Sequence, residues 1–263
     1  ESLVGSSPLS ESERYFLMTS PEFYMKRLLA AGSGPLYYLG RAFRAGDCGS
    51  RHRPEFTMLE WYRPEWTLSE LMDEVALLVG EYLPGEVRHT TYQQAFVTHA
   101  GIDPFVASLA ELQALARRRL SPAFESDERV VWLDLLFSHL VEPQLQGQVF
   151  VTGFPAEQAA LAQTQIDEQG NRVAVRFELY IDGLEIANGY QEELDADVLA
   201  QRFAENLSVR DGRGQTQPPV DQRFLAAMRQ GLPACAGVAL GVDRLLMCIT
   251  NADAITAVIP FAD

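Results

Sequence analysis

Two arginines far apart in the chain sit in settings that suit phosphate binding. Arg44 closes the aromatic and aliphatic run PLYYLGRAFR, Pro35 to Arg44, and is followed by the polar, glycine-rich stretch AGDCGSRHRPE. A guanidinium fork donates two parallel hydrogen bonds to a phosphate, and a pliable loop beside it leaves room for one. Arg244 closes the string Gly237-Val238-Ala239-Leu240-Gly241-Val242-Asp243-Arg244. Glycines leading into a helix allow close approach to the backbone, and the first-turn N–H groups and dipole favour an anion there. Each feature also has a bland reading: a strand-end arginine is often a solvated surface charge, and the second string serves equally as a packing glycine with a surface Asp-Arg pair.

The elements that must carry these residues are legible from periodicity. Pro35 to Arg44 and Phe56 to Arg63 read as an antiparallel strand pair joined by a long mobile loop that includes His52, Arg53, Pro54 and Glu55. In the second strand Phe56, Met58, Glu60 and Tyr62 share one face, and Thr57, Leu59, Trp61 and Arg63 the other. Thr67 or Ser69 caps a helix through Tyr82, ended by Pro84-Gly85, and further helices fit Leu109 to Leu120 and Glu128 to Val141. Val173, Val175, Phe177, Leu179 and Ile181 alternate along the clearest strand, and Asp182-Gly183 turns it into a second. A helix over Asp221 to Gly231 precedes GVALGVDRLLMCI, read as strand, glycine turn and helix. The plan is α+β: an antiparallel sheet flanked by helices, one domain over residues 1–263 with a helical insertion around 66–145.

Composition narrows the classes. The 263 residues, 47% hydrophobic and 22% charged, can bury a large core, and no apolar run approaches the roughly 20 residues of a membrane span. The opening ESLVGSSPLS lacks the basic-then-apolar pattern of a secretory signal, so a cytoplasmic protein is expected, although the first residue is Glu1 rather than Met. Cys48, Cys235 and Cys248 are odd in number, with no CxxC pair, which supports neither a disulfide framework nor a structural zinc. A net charge of −15 repels phosphate backbones, so a polyanionic ligand must be held by local arginines.

Together and in this order, the two arginine strings resemble motifs 2 and 3 of the class II aminoacyl-tRNA synthetases. That resemblance implies a two-sided clamp on ATP, with Arg44 on the α-phosphate, where charge builds during carboxylate attack, and Arg244 on the γ-phosphate. Ser20-Pro21-Glu22 looks like the amino-acid-binding turn of the lysyl branch; aspartyl and asparaginyl relatives carry glutamine where Glu22 stands. Glu185-Ile186-Ala187-Asn188-Gly189-Tyr190-Gln191-Glu192 is similarly lysyl-like. The resemblance implies that Glu185 helps bind ATP and magnesium, that Glu192 lies at the amino-acid pocket with a possible share in the metal, and that Tyr62 walls the pocket. A buried substrate ammonium needs such carboxylates. Ala45, Gly46, Arg53, Phe56, Ile186 and Gly241 join the implied ATP site, and Asn188 and Ala239 the implied substrate site.

One subfamily fits further. MTSPEFYMKRLL, HRPEFTMLEWYR, FPAEQAALAQ and CAGVALGVDRLLM resemble the elongation factor P lysine ligases, paralogues of lysyl-tRNA synthetase, over most of the chain. Motif 2 arrives by Arg44, so no anticodon-binding domain is expected in the chain. Ala239 stands where tRNA-charging lysyl enzymes have glycine, which in this family goes with a preference for (R)-β-lysine. The resemblance therefore implies a cytoplasmic, ATP- and magnesium-dependent ligase that activates (R)-β-lysine, or lysine, as an adenylate. Its acceptor would be a lysine side chain of elongation factor P rather than tRNA, with no membrane partner and a homodimer by analogy. Two departures stand out: Gly46, with Asp47 one place later, replaces an adenine-contacting acid, and Arg53 replaces an asparagine before Pro-Glu-Phe. The alternatives are a lysyl-tRNA synthetase catalytic core and a non-catalytic paralogue that binds an amino acid or a partner protein.

Overall fold

A computed structural model describes residues 4–7, 10–215 and 217–260. Residues 1–3, 8 and 9, part of the opening read for a secretory signal, lie outside them. In chain order the elements are β1 (Val4–Ser7), β2 (Ser10–Phe16), α1 (Glu22–Ala30), β3 (Leu36–Phe43), β4 (Glu55–Pro64), α2 (Leu68–Gly80), β5 (Val87–Thr91) and α3 (Tyr92–Ala100). There follow α4 (Leu109–Arg119), α5 (Arg129–Leu136), β6 (Gln148–Pro155), β7 (Thr164–Ile166), β8 (Arg172–Ile181), β9 (Leu184–Gln191), α6 (Ala196–Gly212), α7 (Gln222–Gln230), β10 (Cys235–Gly241) and α8 (Val242–Thr250).

The chain divides into two compact units, Glu1–Thr67 with Glu192–Asp263, and Leu68–Gln191. In the first, β4 is central and antiparallel to both β3 and β10. Helices α1 and α7 pack together through Phe23 stacked on Phe224, ring centroids 4.3 Å apart, with Phe203 against both. Residues Phe224, Leu225 and Met228 turn one face of α7 inward, the spacing expected of an amphipathic helix.

The second unit pairs β6 with β8 and β8 with β9, all antiparallel, and β5 with β6 in parallel, so the expected antiparallel sheet carries one parallel pair. The cause is that β5 is followed by α3, which packs on β5 and β6 and returns the chain to the same end. The stretch expected as a helical insertion, around 66–145, falls in this unit beside strands β6 to β9. Its core is aromatic: Tyr92 stacks on Phe137 at 4.6 Å, and Phe154, Phe96 and Trp132 complete it. Capping boxes start two of the helices, Thr91 with Gln94 for α3 and Ser108 with Glu111 for α4. The helix expected over Glu128 to Val141 changes to a π-helical turn at Phe137–Val141.

The Asp182-Gly183 turn behaves as its residue types require. Both residues have positive φ, 48° and 75°, which is the twist a two-residue hairpin needs. A Cβ on Gly183 would also lie 2.7 Å from the backbone oxygen of Glu142. Gly183→Ala is therefore expected to lower stability by roughly 1–3 kcal/mol in urea unfolding, while Asp182→Gly stays close to the parent.

Candidate active site

The Ser20-Pro21-Glu22 turn starts α1, and its hydroxyl works in two directions. Ser20 Oγ accepts from the Glu22 N–H at 3.0 Å and donates to Glu60 Oε2 at 2.8 Å. Glu60 and Tyr62 point the same way from β4, and the Tyr62 hydroxyl donates to Glu60 Oε1 at 2.7 Å. Lys26, one helical turn after Glu22, bridges Glu22 Oε1 at 2.6 Å and Glu192 Oε2 at 2.5 Å. Lys26 and Glu192 are each 1% exposed. Glu192, the residue after β9, is fixed beside β10 by its N–H donating to the Cys235 carbonyl.

Strand β10 completes the pocket. In the antiparallel register Gly237 lies opposite Tyr62, and Ala239 opposite Glu60. A Cβ at Gly237 would come 2.3 Å from the Tyr62 ring and 2.5 Å from Glu192 Oε1. Glycine is required there by space, not by backbone angle. The Ala239 methyl stands on that same face, next to Glu60. Of the residues expected at the substrate site, Ser20, Glu22, Tyr62, Glu192 and Ala239 thus meet in the first unit, with Pro21 as the helix N-cap.

Burial governs the electrostatics. It pushes the Glu60 carboxyl up to about 7, reinforced by Glu22 and opposed by hydrogen bonds from Tyr62 and Ser20 and by the Lys26 ammonium. It raises Glu192 as well, and Lys26 pulls that carboxyl back. Burial alone would lower the Lys26 ammonium, but Glu192 and Glu22 outweigh it and leave it above the ordinary lysine range. The Cys235 thiol beside this group is pushed up to about 12 by burial, so it stays protonated, and all three cysteines are free.

The arginines lie at one end of the same three strands. Arg44 follows β3, its guanidinium 5.2 Å from the centroid of the Phe56 ring, and its N–H donates to the Pro54 carbonyl. Arg244 is in the first turn of α8, with Gly241 as N-cap, and donates to the Arg51 carbonyl and to His52 Nε2. Register pairs Gly241 with Met58, and Asp243 Oδ2 accepts the Thr57 N–H, so the start of α8 is tied to the start of β4. Ala45 is half-buried, and Gly46 turns the loop at φ 85°, a conformation in which a side chain is strained. Arg53 is half-buried two residues before β4. Exposed Arg44 and the glycine loop supply the donors and the room that a polyphosphate requires.

In the second unit β9 carries Glu185, Ile186 and Asn188. Ile186 is a core side chain, 2% exposed, so its side chain is not open to a ligand. Asn188 Nδ2 donates to Glu178 Oε1 at 3.4 Å. Sequence reasoning missed Glu178, which also accepts from Arg176 and Tyr180. Burial lifts the Glu178 carboxyl to about 7, and the neighbouring Glu185 charge adds to the rise. Among the described residues no group of three or more His, Cys, Asp or Glu side chains is arranged to hold a metal ion. Magnesium takes only one or two carboxylates when phosphates and water supply the rest, and half-buried Glu185 fits that donor set, whereas Glu178 is engaged by Arg176 and Tyr180. Glu192, engaged by Lys26, fits it less well. Lys26 and Glu60 were also missed; Glu60 shares its strand face with Tyr62, and Lys26 stands four residues after Glu22, the two signals available.

With this geometry in view, comparison with known proteins decides the family. A family model described as tRNA synthetases class II (D, K and N) matches residues 4–263. The chain belongs to that family. It is 48% identical over 251 residues to proteins named elongation factor P–(R)-beta-lysine ligase from Yersinia pestis (strain Pestoides F) and Yersinia pseudotuberculosis serotype O:1b, covering 94% of this chain and 77% of each relative. The class II fold and the kinship to elongation factor P lysine ligases, both read from the residues, agree with these findings. Membership implies ATP use. Among the described residues no helix is long and apolar enough to cross a membrane.

The raised Glu60 carboxyl gives the pocket a pH dependence of definite sign. Below about pH 7 Glu60 is protonated and neutral, and a cationic amine must displace that proton to bind. Calorimetric titration with a diamino acid is expected to show affinity falling, by up to about tenfold per unit, as pH drops from about 8 to 6, with net proton release on binding. Glu60→Gln should bind more weakly and lose most of that slope.

Proposed function

We propose that the chain activates (R)-β-lysine, or lysine, with ATP as an aminoacyl adenylate and transfers it to a lysine side chain of elongation factor P. The single observation that carries this reading is the group of Glu22, Glu60 and Glu192 under Tyr62, three carboxylates facing the one ammonium of Lys26, an excess of negative charge that a cationic amine ligand would complement. The relatives' printed name agrees with it. A carboxylate oxygen of the amino acid attacks the α-phosphorus and pyrophosphate leaves; no general base is needed, because the nucleophile is already ionised. The acceptor amine, in its neutral form, then attacks the acyl carbon, AMP leaves, and the proton lost from the amine nitrogen passes to solvent.

Arg44 would meet the charge that develops at the α-phosphate, and Arg244 would hold the far end of the polyphosphate. Magnesium, held by Glu185, would supply neutralisation of the phosphate charge. The Ala239 methyl beside Glu60 favours (R)-β-lysine over α-lysine by excluding one placement of the amine, a selection by overlap rather than by added attraction. A cytoplasmic setting, a homodimer and one catalytic domain spanning both units belong to the same reading.

Amino-acid-dependent ATP–pyrophosphate exchange tests it. Exchange should favour (R)-β-lysine over α-lysine by at least about tenfold in kcat/KM, and transfer to elongation factor P should follow. Preference for α-lysine would indicate a tRNA-charging core, and exchange with neither a non-catalytic paralogue. Arg44→Ala is expected to lower the exchange rate by about 100- to 1,000-fold, the cost typical of losing a donor aimed at developing charge. Ala239→Gly should shift preference towards α-lysine, read as the ratio of the two kcat/KM values.

A further inference from the structure

We propose that Lys26 is a positioning residue that sets the net charge of the amino-acid pocket, an inference that rests on the lysine-type reading of the same pocket. Its ammonium reaches the pocket from α1 and holds two carboxylates at once, Glu22 from its own helix and Glu192 from beyond β9. The Tyr62 ring lies 5.9 Å away, over the same ammonium. Glu60 is tied to this group through Ser20, whose hydroxyl bridges it to the Glu22 backbone.

The consequence is a matter of charge. On the alkaline side of the raised Glu60 and Glu192 carboxyls, Glu22, Glu60 and Glu192 face one resident ammonium, which leaves two negative charges for the ligand. A lysine-type amino acid brings two ammonium groups and satisfies both. An amino acid with one ammonium would leave a carboxylate unpaired in a buried site, which is costly. Lys26 also fixes the distance between the carboxylates, because 2.6 and 2.5 Å contacts to one nitrogen leave Glu22 and Glu192 little freedom. Without it they would repel each other, and the ligand's ammonium groups would meet displaced or protonated partners.

Lys26→Met keeps the length of the side chain and removes its charge. In ATP–pyrophosphate exchange the variant is expected to raise KM for the amino acid at least about tenfold, with kcat and KM for ATP within about twofold of the parent. An unchanged KM for the amino acid overturns the proposal. So does a lower kcat at unchanged KM, the signature of less folded enzyme. Should the variant fail to fold, the unaltered protein with labelled lysine answers the question by NMR: the Lys26 Nζ signal should shift on adding the amino acid and not on adding ATP alone, and an unmoved signal overturns the proposal. Exchange absent from the unaltered enzyme with every lysine-type acid defeats the functional reading and the role of Lys26 together. Exchange present, with Lys26→Met indistinguishable, defeats only the latter.

Discussion

The first unit is organised around the cost of burying charge. Lys26 and Glu192 are removed from water almost completely, and ions in that position destabilise a fold unless each is paired and its remaining donors and acceptors are met. Meeting that condition takes parts of four chain segments: α1 for Glu22 and Lys26, β4 for Glu60 and Tyr62, the residue after β9, and β10 for the space at Gly237. Neither α1 nor β4 nor the residue after β9 can shift by a residue without stranding a charge. A one-residue slip of β10 against β4 would turn Gly237 and Ala239 off the pocket face and put a bulkier side chain against Tyr62. The register of β10 against β4 is therefore held by overlap at Gly237.

The other end of the same strands is built on the opposite principle. Arg44 is exposed and rests on one aromatic face, and Arg244 is held by a loop carbonyl and an imidazole. These are contacts that a phosphate can replace at small cost, because a guanidinium in water is already solvated and its ring contact is weak. Amine recognition at one end gains from rigidity and a low dielectric; polyphosphate at the other must enter, turn over and leave as pyrophosphate. Gly46, at a φ that disfavours side chains, belongs to this pliable end. There the expected acid has given way to a turn.

The residues disclosed much of this and hid a definite part. Aromatic and aliphatic richness located β3, alternation located β4 and β8, and the Asp182-Gly183 pair located the hairpin into β9, because a half-buried strand and a left-handed turn each restrict residue type locally. Strands β5 and β6 escaped, since their parallel pairing is a contact between distant segments joined through helices. Helix α4 was legible from the spacing over Leu109 to Leu120, whereas α3 escaped although Thr91-x-x-Gln94 is as plain a capping box as Ser108-x-x-Glu111. Lys26, Glu60 and Glu178 were overlooked for one shared reason. A charged residue in a helix or strand reads as solvent-facing until the partner that buries it is known, and those partners, Glu192, Ser20 and Arg176, are near in space and not all near in sequence.

Recognition by charge and recognition by shape divide the work within the pocket. The carboxylates report how many ammonium groups a ligand carries, but charge acts over several ångströms and is nearly blind to moving an amine by one carbon. Overlap is short-ranged and discriminates such a move, and under the proposed reading the Ala239 methyl, set opposite Glu60, provides it. Glycine at 237 and alanine at 239 then have complementary reasons. At 237 any added carbon would strike Tyr62 and Glu192, so the pocket could not close around its charges. At 239 the added carbon leaves the charges intact and changes only where an amine can lie, which is why selectivity between isomeric diamino acids can rest on a methyl group while affinity for their charge does not.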